Sequence, residues 1–348
     1  MGGVCVDSNA AGRPAPPAGV GGSAWPDLTL LADLPVLPLE VRARARDPIF
    51  LPEHAGSSLR GAFGNTLRSL VCVQRERSAC AGCPEEGRCA YPALFEPRAD
   101  TGQAGTVGFT DLPRPYLFRA PPGVGEVAAG DAFSWYAALV GRAACHLPHA
   151  VLTWRAMGEA GMGRGRGRFE LLAVDALDAA GEPGARVYDG ATGLFSPPGY
   201  GWTGAELLTA ATPAPAGPME LTIEFRTPTS LKWAGRVAER PEFHILWRAV
   251  QRRLSMLRLG YGGGRLDLDF RAAIAAAEAV ELIEWHADRV NWARAPQRQG
   301  RRVPMSGWVG AARYRGVLQP ALPALLLGSR VGVGDNCALG QGWYRVNW

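Results

Sequence analysis

The chain lays down the same order of short elements twice, each time with a glycine-rich turn in the same slot, and this repetition restricts its fold more than anything else in its 348 residues. In the first half, "VLPLEVRARAR" (36–46) alternates Leu39, Val41, Ala43 and Ala45 with other residues, the period of a half-buried strand. A helix starts near Ser57, with Leu59, Phe63, Leu67, Leu70 and Val71 on one face and Gly56, Ser57 and Ser58 as its cap. Strand patterns follow at 115–120 and 132–141, then a second helix around 149–158. "GMGRGRGRFELLAV" (161–174) turns through its glycines into a further strand.

The second half runs through the same parts. "LTIEFRT" (221–227) alternates as a strand, and residues 242–260 form an amphipathic helix carrying Phe243, Leu246, Trp247, Val250, Leu254 and Leu257, with Gly260 as its stop. Strands at 288–294 and 307–316 and a short apolar helix at 321–327 lead into "VGVGDNCALGQGW" and a last strand. Each half therefore reads strand, helix, strand, strand, helix, strand. The expected class is α+β, with two tandem ferredoxin-like domains. The expected organisation is a disordered tail over 1–26, a first domain over 27–215 with a cysteine-rich insertion at 72–97, and a second over 216–348.

The second glycine turn has the spacing GxG-x5-GxG, from Gly332 and Gly334 to Gly340 and Gly342. A dinucleotide fingerprint follows a strand and opens a helix. Here the turn follows a helix and enters a strand, so no helix N-terminus is offered to a pyrophosphate. Composition narrows the class further. Hydrophobic residues at 47% and charged residues at 20% describe a globular chain, and no apolar run is long enough to span a bilayer, so a cytoplasmic protein without a membrane partner is expected. The net charge of +5 is carried by arginine, with Lys232 the only lysine, and arginine suits two-pronged phosphate contacts.

Several segments, in order, resemble the RAMP superfamily of CRISPR-associated proteins, and within it the endoribonuclease that cuts precursor CRISPR RNA into guides. They are "GSSLRGAFGNTLRSL" (56–70), "CAGCPEEGRCAYPALFEP" (80–97), "GMGRGRGRF" (161–169), "TPTSLKW" (227–233), "RQGRRVPMSGWVGAARYRG" (298–316) and "VGVGDNCALGQGWYRV" (331–346). The resemblance implies two ferredoxin-like domains side by side with RNA crossing between them. It also implies a metal-independent reaction in which a ribose 2′-hydroxyl attacks the adjacent phosphorus, leaving a 2′,3′-cyclic phosphate and a 5′-hydroxyl. The implied partners are CRISPR repeat and guide RNA and other CRISPR-associated effector subunits. A non-catalytic RAMP subunit that holds guide RNA is the alternative.

Such a reaction needs a group that moves protons near neutrality and fixed cations for the phosphoryl oxygens. Of the five histidines, His54 stands just ahead of the first helix, where free backbone N–H groups attract a phosphate, and Arg60 follows one turn inside. His244, at the start of the equivalent helix in the second half, is the runner-up, and Lys232 is a candidate electrostatic helper. Asp335 and Glu284 stand alone, without the paired acids of a two-metal nuclease. The expected RNA contacts are Arg164, Arg166 and Arg168 in the first glycine turn and Gly332, Gly334, Gly340 and Gly342 in the second. A basic hairpin (289–304) adds Arg298, Arg301 and Arg302 beside Trp292. Finally, Cys72, Cys80, Cys83 and Cys89 follow C-x7-C-x2-C-x5-C, a ligand set for a structural zinc or, with the same four thiolates, an iron–sulfur cluster; reduced cysteines without metal are the plain alternative.

Overall fold

The computed structural model describes residues 25, 31–98, 112–120, 125–199, 201, 206–207, 209, 217–266, 268–291, 293–294 and 303–348. The tail expected over 1–26 lies outside the described residues, apart from Trp25. That indole docks edge-on against Trp247 at 5.2 Å.

The first half holds β1 (Val36–Ala45), α1 (Gly56–Val71), α2 (Ala90–Phe95), β2 (Tyr116–Arg119), β3 (Ala132–Val140), α3 (Leu147–Ala160), β4 (Phe169–Leu177) and β5 (Pro183–Asp189). Its sheet runs β2-β3-β1-β4-β5 with antiparallel neighbours, Val41 facing Trp135 on one side and Val174 on the other. The second half holds β6 (Met219–Thr229), α4 (Phe243–Tyr261), α5 (Phe270–Glu278), β7 (Glu281–Val290), β8 (Gly307–Gly316), α6 (Leu322–Val331) and β9 (Tyr344–Asn347). Its sheet runs β7-β8-β6-β9, again antiparallel. In both halves the first strand lies centrally, between the third and the last strand of the repeated set. A chain with two strand–helix–strand crossings reaches this order when both helices cover one face.

Several expectations are corrected. β5 adds an edge strand inside the Gly- and Pro-rich stretch after β4, and α5 is an extra helix, capped by Asp269, whose carboxylate accepts from Arg271 N and Ala272 N at 3.0 Å. α4 runs through Gly260 to Tyr261, because Gly260 is buried against Leu112 and Gly262 takes the cap position. α1 begins at Gly56 with Ala55 as its cap residue, and no side chain caps it. Leu70 lies in its last turn, past the packed part, and is 52% exposed.

Two hydrophobic clusters result. The odd-numbered residues of β1, Leu37 to Ala45, turn toward α1 and α3, where Phe63, Phe118, Trp135, Trp154 and Phe169 pack ring on ring. The other cluster belongs to both halves: Val36, Leu117, Ala138 and Val140 from the first sheet join Trp247, Leu254, Leu325 and Tyr344. Polar bonds cross the same boundary, with Tyr136 Oη donating to Arg330 O at 3.0 Å and Tyr261 Oη donating to Pro113 O at 2.9 Å.

Arg258 locks this boundary further. Its guanidinium holds both carboxylate oxygens of Asp33 at 2.6 Å and donates to the carbonyls of Gly264 and Arg265. Removing one member of such a pair strands the other. Arg258→Ala is therefore expected to destabilise the fold by about 2–3 kcal/mol, read as a lower urea midpoint with an unchanged slope.

Candidate active site

α1 starts where the halves meet. After β1 the chain forms a short ladder, Ile49–Phe50 against Glu126–Val127, and Leu51 N donates to Gly125 O at 2.8 Å. The first glycine turn fixes this segment, since Arg164 N donates to Phe50 O at 3.0 Å. Half-buried His54 then precedes the helix. At the other end Gly56 meets the second glycine turn: a Cβ on it would lie 2.5 Å from Leu339 O and 2.8 Å from Gly340 Cα. His54 thus rides on a strap of seven residues, 50–56, held at each end by one of the two glycine turns.

The second glycine turn closes on itself and on the end of β6. Val333 N donates to Gly342 O at 2.9 Å, Gly342 N to Pro228 O at 3.2 Å and Asp335 N to Ser230 O at 3.2 Å. Gly340 has φ +87°, and a Cβ there would sit 3.0 Å from both Gly56 Cα and Phe118 O, so a side chain is strained by conformation and by contact. The close neighbours of this loop are therefore backbone atoms of the first half as well as its own.

The other candidate groups fall out differently. Lys232 reaches the loop and pairs with Asp335, Nζ to Oδ2 at 2.9 Å. Arg60 lies one turn into α1 but turns toward aromatics, 5.2 Å from the Phe95 ring centre and against the Tyr116 hydroxyl, whose pKa burial pushes up to about 12. His244 packs edge-on against Trp233 at 4.8 Å, and Arg248 covers the same indole at 5.3 Å. The structure thus pairs Lys232 with the second glycine loop, leaves His54 two residues ahead of the Gly56 contact with that loop, and occupies Arg60 and His244 with aromatic rings.

In the first glycine turn, Arg168 chelates Asp47, at 2.7 Å through Nε, and holds that carboxyl below its ordinary pKa. Arg166, at φ +55°, donates twice to Ala160 O at the end of α3, and Arg164 lies 5.7 Å from the Phe50 ring centre. Two of the three alternating arginines expected to meet RNA here thus also bond within the turn and its surroundings. Arg298, Arg301, Arg302 and Trp292 lie outside the described residues.

Cys72, Cys80, Cys83 and Cys89 are half-buried free thiols. Burial pushes the Cys80 thiol up to about 11, with nearby Glu96 adding to the effect, and it also raises Cys89. Among the described residues, no three or more His, Cys, Asp or Glu side chains stand where they hold a metal ion together. The thiols nevertheless share one neighbourhood: Cys89 feels the charges of Cys72 and Cys83, Cys80 feels that of Cys89, and Arg68 stands near Cys72 and Cys80.

Sequence reasoning missed Trp343 and the guanidiniums of Arg119, Arg226 and Arg345, which lie 5.3, 6.0 and 5.8 Å from its ring centre. The tryptophan directly after Gly342 was the available signal. Its partners come from three strands, which the local pattern does not connect.

Residues 223–344 match the family described as CRISPR-associated endoribonuclease Cas6, and residues 34–199 match the AF_1859_N family, described as an N-terminal domain. No curated protein matches the sequence. Among solved structures, Thermus thermophilus Cas6 (TTHB231) shares the fold with a TM-score of 0.52 at 14% identity, over 90% of this chain and 99% of that one. A product complex of Cas6 (TTHB231) gives 0.53 at 13% identity, over 90% and 99%. A chain of a partial Cas6-RT-Cas1–Cas2 complex gives 0.53 at 12% identity, over 91% of this chain and 46% of that one. The chain thus matches the Cas6 endoribonuclease family over residues 223–344 and shares the fold of solved Cas6 structures along nine-tenths of its length.

Proposed function

We propose that this protein cuts the repeat RNA of precursor CRISPR transcripts without a metal ion. Each half is read as a ferredoxin-like unit, a reading supported by the shared strand order of the two sheets. The observation that supports the functional reading is the contact of Gly56 with Gly340, which joins the uncapped N-terminus of α1, two residues after His54, to the glycine loop.

In the reaction the ribose 2′-oxygen bonds to phosphorus and the bond from phosphorus to the 5′-oxygen breaks. The 2′-hydroxyl gives up a proton and the leaving oxygen takes one. His54 performs one of these transfers, while the free N–H groups at the start of α1 and the Lys232 ammonium favour the charge that gathers on the phosphoryl oxygens. The structural relatives support the substrate class, one being a Cas6 with its product and another a Cas6 joined to Cas1 and Cas2, so other CRISPR-associated proteins are proposed partners.

Incubation with repeat RNA in excess chelator is expected to give a 2′,3′-cyclic phosphate and a 5′-hydroxyl. One 2′-deoxy nucleotide at the cut site should abolish cleavage. Cleavage that needs magnesium, or that survives the deoxy substitution, would overturn the mechanism. Tight binding without any product would leave the non-catalytic guide-binding subunit as the function.

A further inference from the structure

We propose that Trp343, Arg226 and Arg345 form a subsite that takes one nucleotide of single-stranded RNA, immediately beyond the glycine loop. The inference rests on the RNA-binding part of the function proposed above.

Trp343 is half-exposed and its backbone is fixed. Its N–H donates to Thr227 Oγ1 at 2.9 Å, and its carbonyl accepts from Arg226 N at 2.8 Å. The indole is therefore a partly open surface on a fixed backbone, directly after the loop. Arg226 and Arg345 stand at its rim from β6 and β9. From beneath comes Arg119, the last residue of β2, whose guanidinium lies between the rings of Tyr136 at 4.8 Å and Trp343 at 5.3 Å.

Arg119 is only 4% exposed, and no carboxylate pairs with it among the described residues. Nη2 donates to Ser329 O at 2.9 Å near the C-terminal end of α6, and Nε is buried without a hydrogen-bond partner among the described residues. Burial lowers its pKa to about 10, so it stays cationic at neutral pH. The other charges do not balance it. Glu224 lies across the ladder from Arg345 but pairs with Arg226 at 2.5 Å, and Arg345 has no ion pair among the described residues. Three cations thus surround one indole, with a single carboxylate to offset them.

A buried cation without a counter-ion is costly to keep. A flat indole edged by guanidiniums matches what each nucleotide of an unpaired strand offers, one anionic phosphate and one planar base. Double-stranded RNA hides its bases and would meet only the charge.

The test uses the full chain, with a short unstructured RNA bearing 5-iodouridine, in anisotropy titrations across a salt series and in photo-crosslinking read by mass spectrometry. Trp343→Leu is expected to weaken binding on the order of tenfold, the loss of one base stack. Arg345→Gln is expected to reduce the slope of log affinity against log salt by about 0.7, one phosphate contact on a single strand. Arg271→Gln, an exposed arginine on α5, should change neither. Crosslinks should fall on the peptide carrying Trp343.

If Trp343→Leu does not fold, Arg345→Gln decides, because Arg345 is exposed and its loss leaves no cavity. Crosslinks confined to other peptides, together with an Arg345→Gln slope equal to that of Arg271→Gln, would overturn the subsite while leaving cleavage standing. Binding altered as expected without any RNA product would sink the proposed reaction and leave the subsite intact. A wild-type chain that binds no single-stranded RNA would end both.

Discussion

His54→Ala is expected to slow cleavage of repeat RNA on the order of a hundredfold or more, the usual cost of losing a positioned general acid or base, with RNA affinity nearly unchanged. His54 carries the one imidazole on the strap between the two glycine turns, so no second histidine there takes over its role. Single-turnover rates at saturating enzyme separate this from a binding defect. An alanine variant that cuts at the wild-type rate would remove His54 from the chemistry. His244, packed against Trp233, would then be the histidine to test.

Gly56→Ala should produce the second large effect, although it adds one methyl group. That methyl would fall 2.5 Å from Leu339 O and 2.8 Å from Gly340 Cα, and both are backbone atoms that cannot rotate away. Either α1 or the glycine loop must shift. Overpacking of this kind costs roughly 1–3 kcal/mol, measurable as a lower urea midpoint. The functional loss should be larger in proportion, since a displacement of about 1 Å at a reacting centre removes on the order of a hundredfold in rate. Ser57→Ala, next in the same turn, should leave the rate close to wild type. If Gly56→Ala cleaves normally, contact between the halves does not set the position of His54.

The sequence revealed the repeated elements because their periods are local. Alternation along β1 and the 3.6-residue stripe of α4 both follow from burial of one face, and the structure has both. The glycine loop was equally legible, since its unusual spacing has few uses. What escaped detection depended on distant partners. β5 is exposed over its first residues and pairs only at a sheet edge, so its pattern reads as a connection. The turn arginines look free in sequence, and only the fold reveals Asp47, 121 positions away, as the partner of Arg168.

The apolar cluster threaded through the first sheet into the second half has an evolutionary implication. Two halves with the same strand order each lack part of an interior, so neither is a usable spare part. A gene cut between them would yield fragments that expose Val36, Val140, Trp247 and Leu325 to water. Recombination that swaps one module for a relative's must bring a matching inner surface, and the lineage is therefore expected to exchange whole chains.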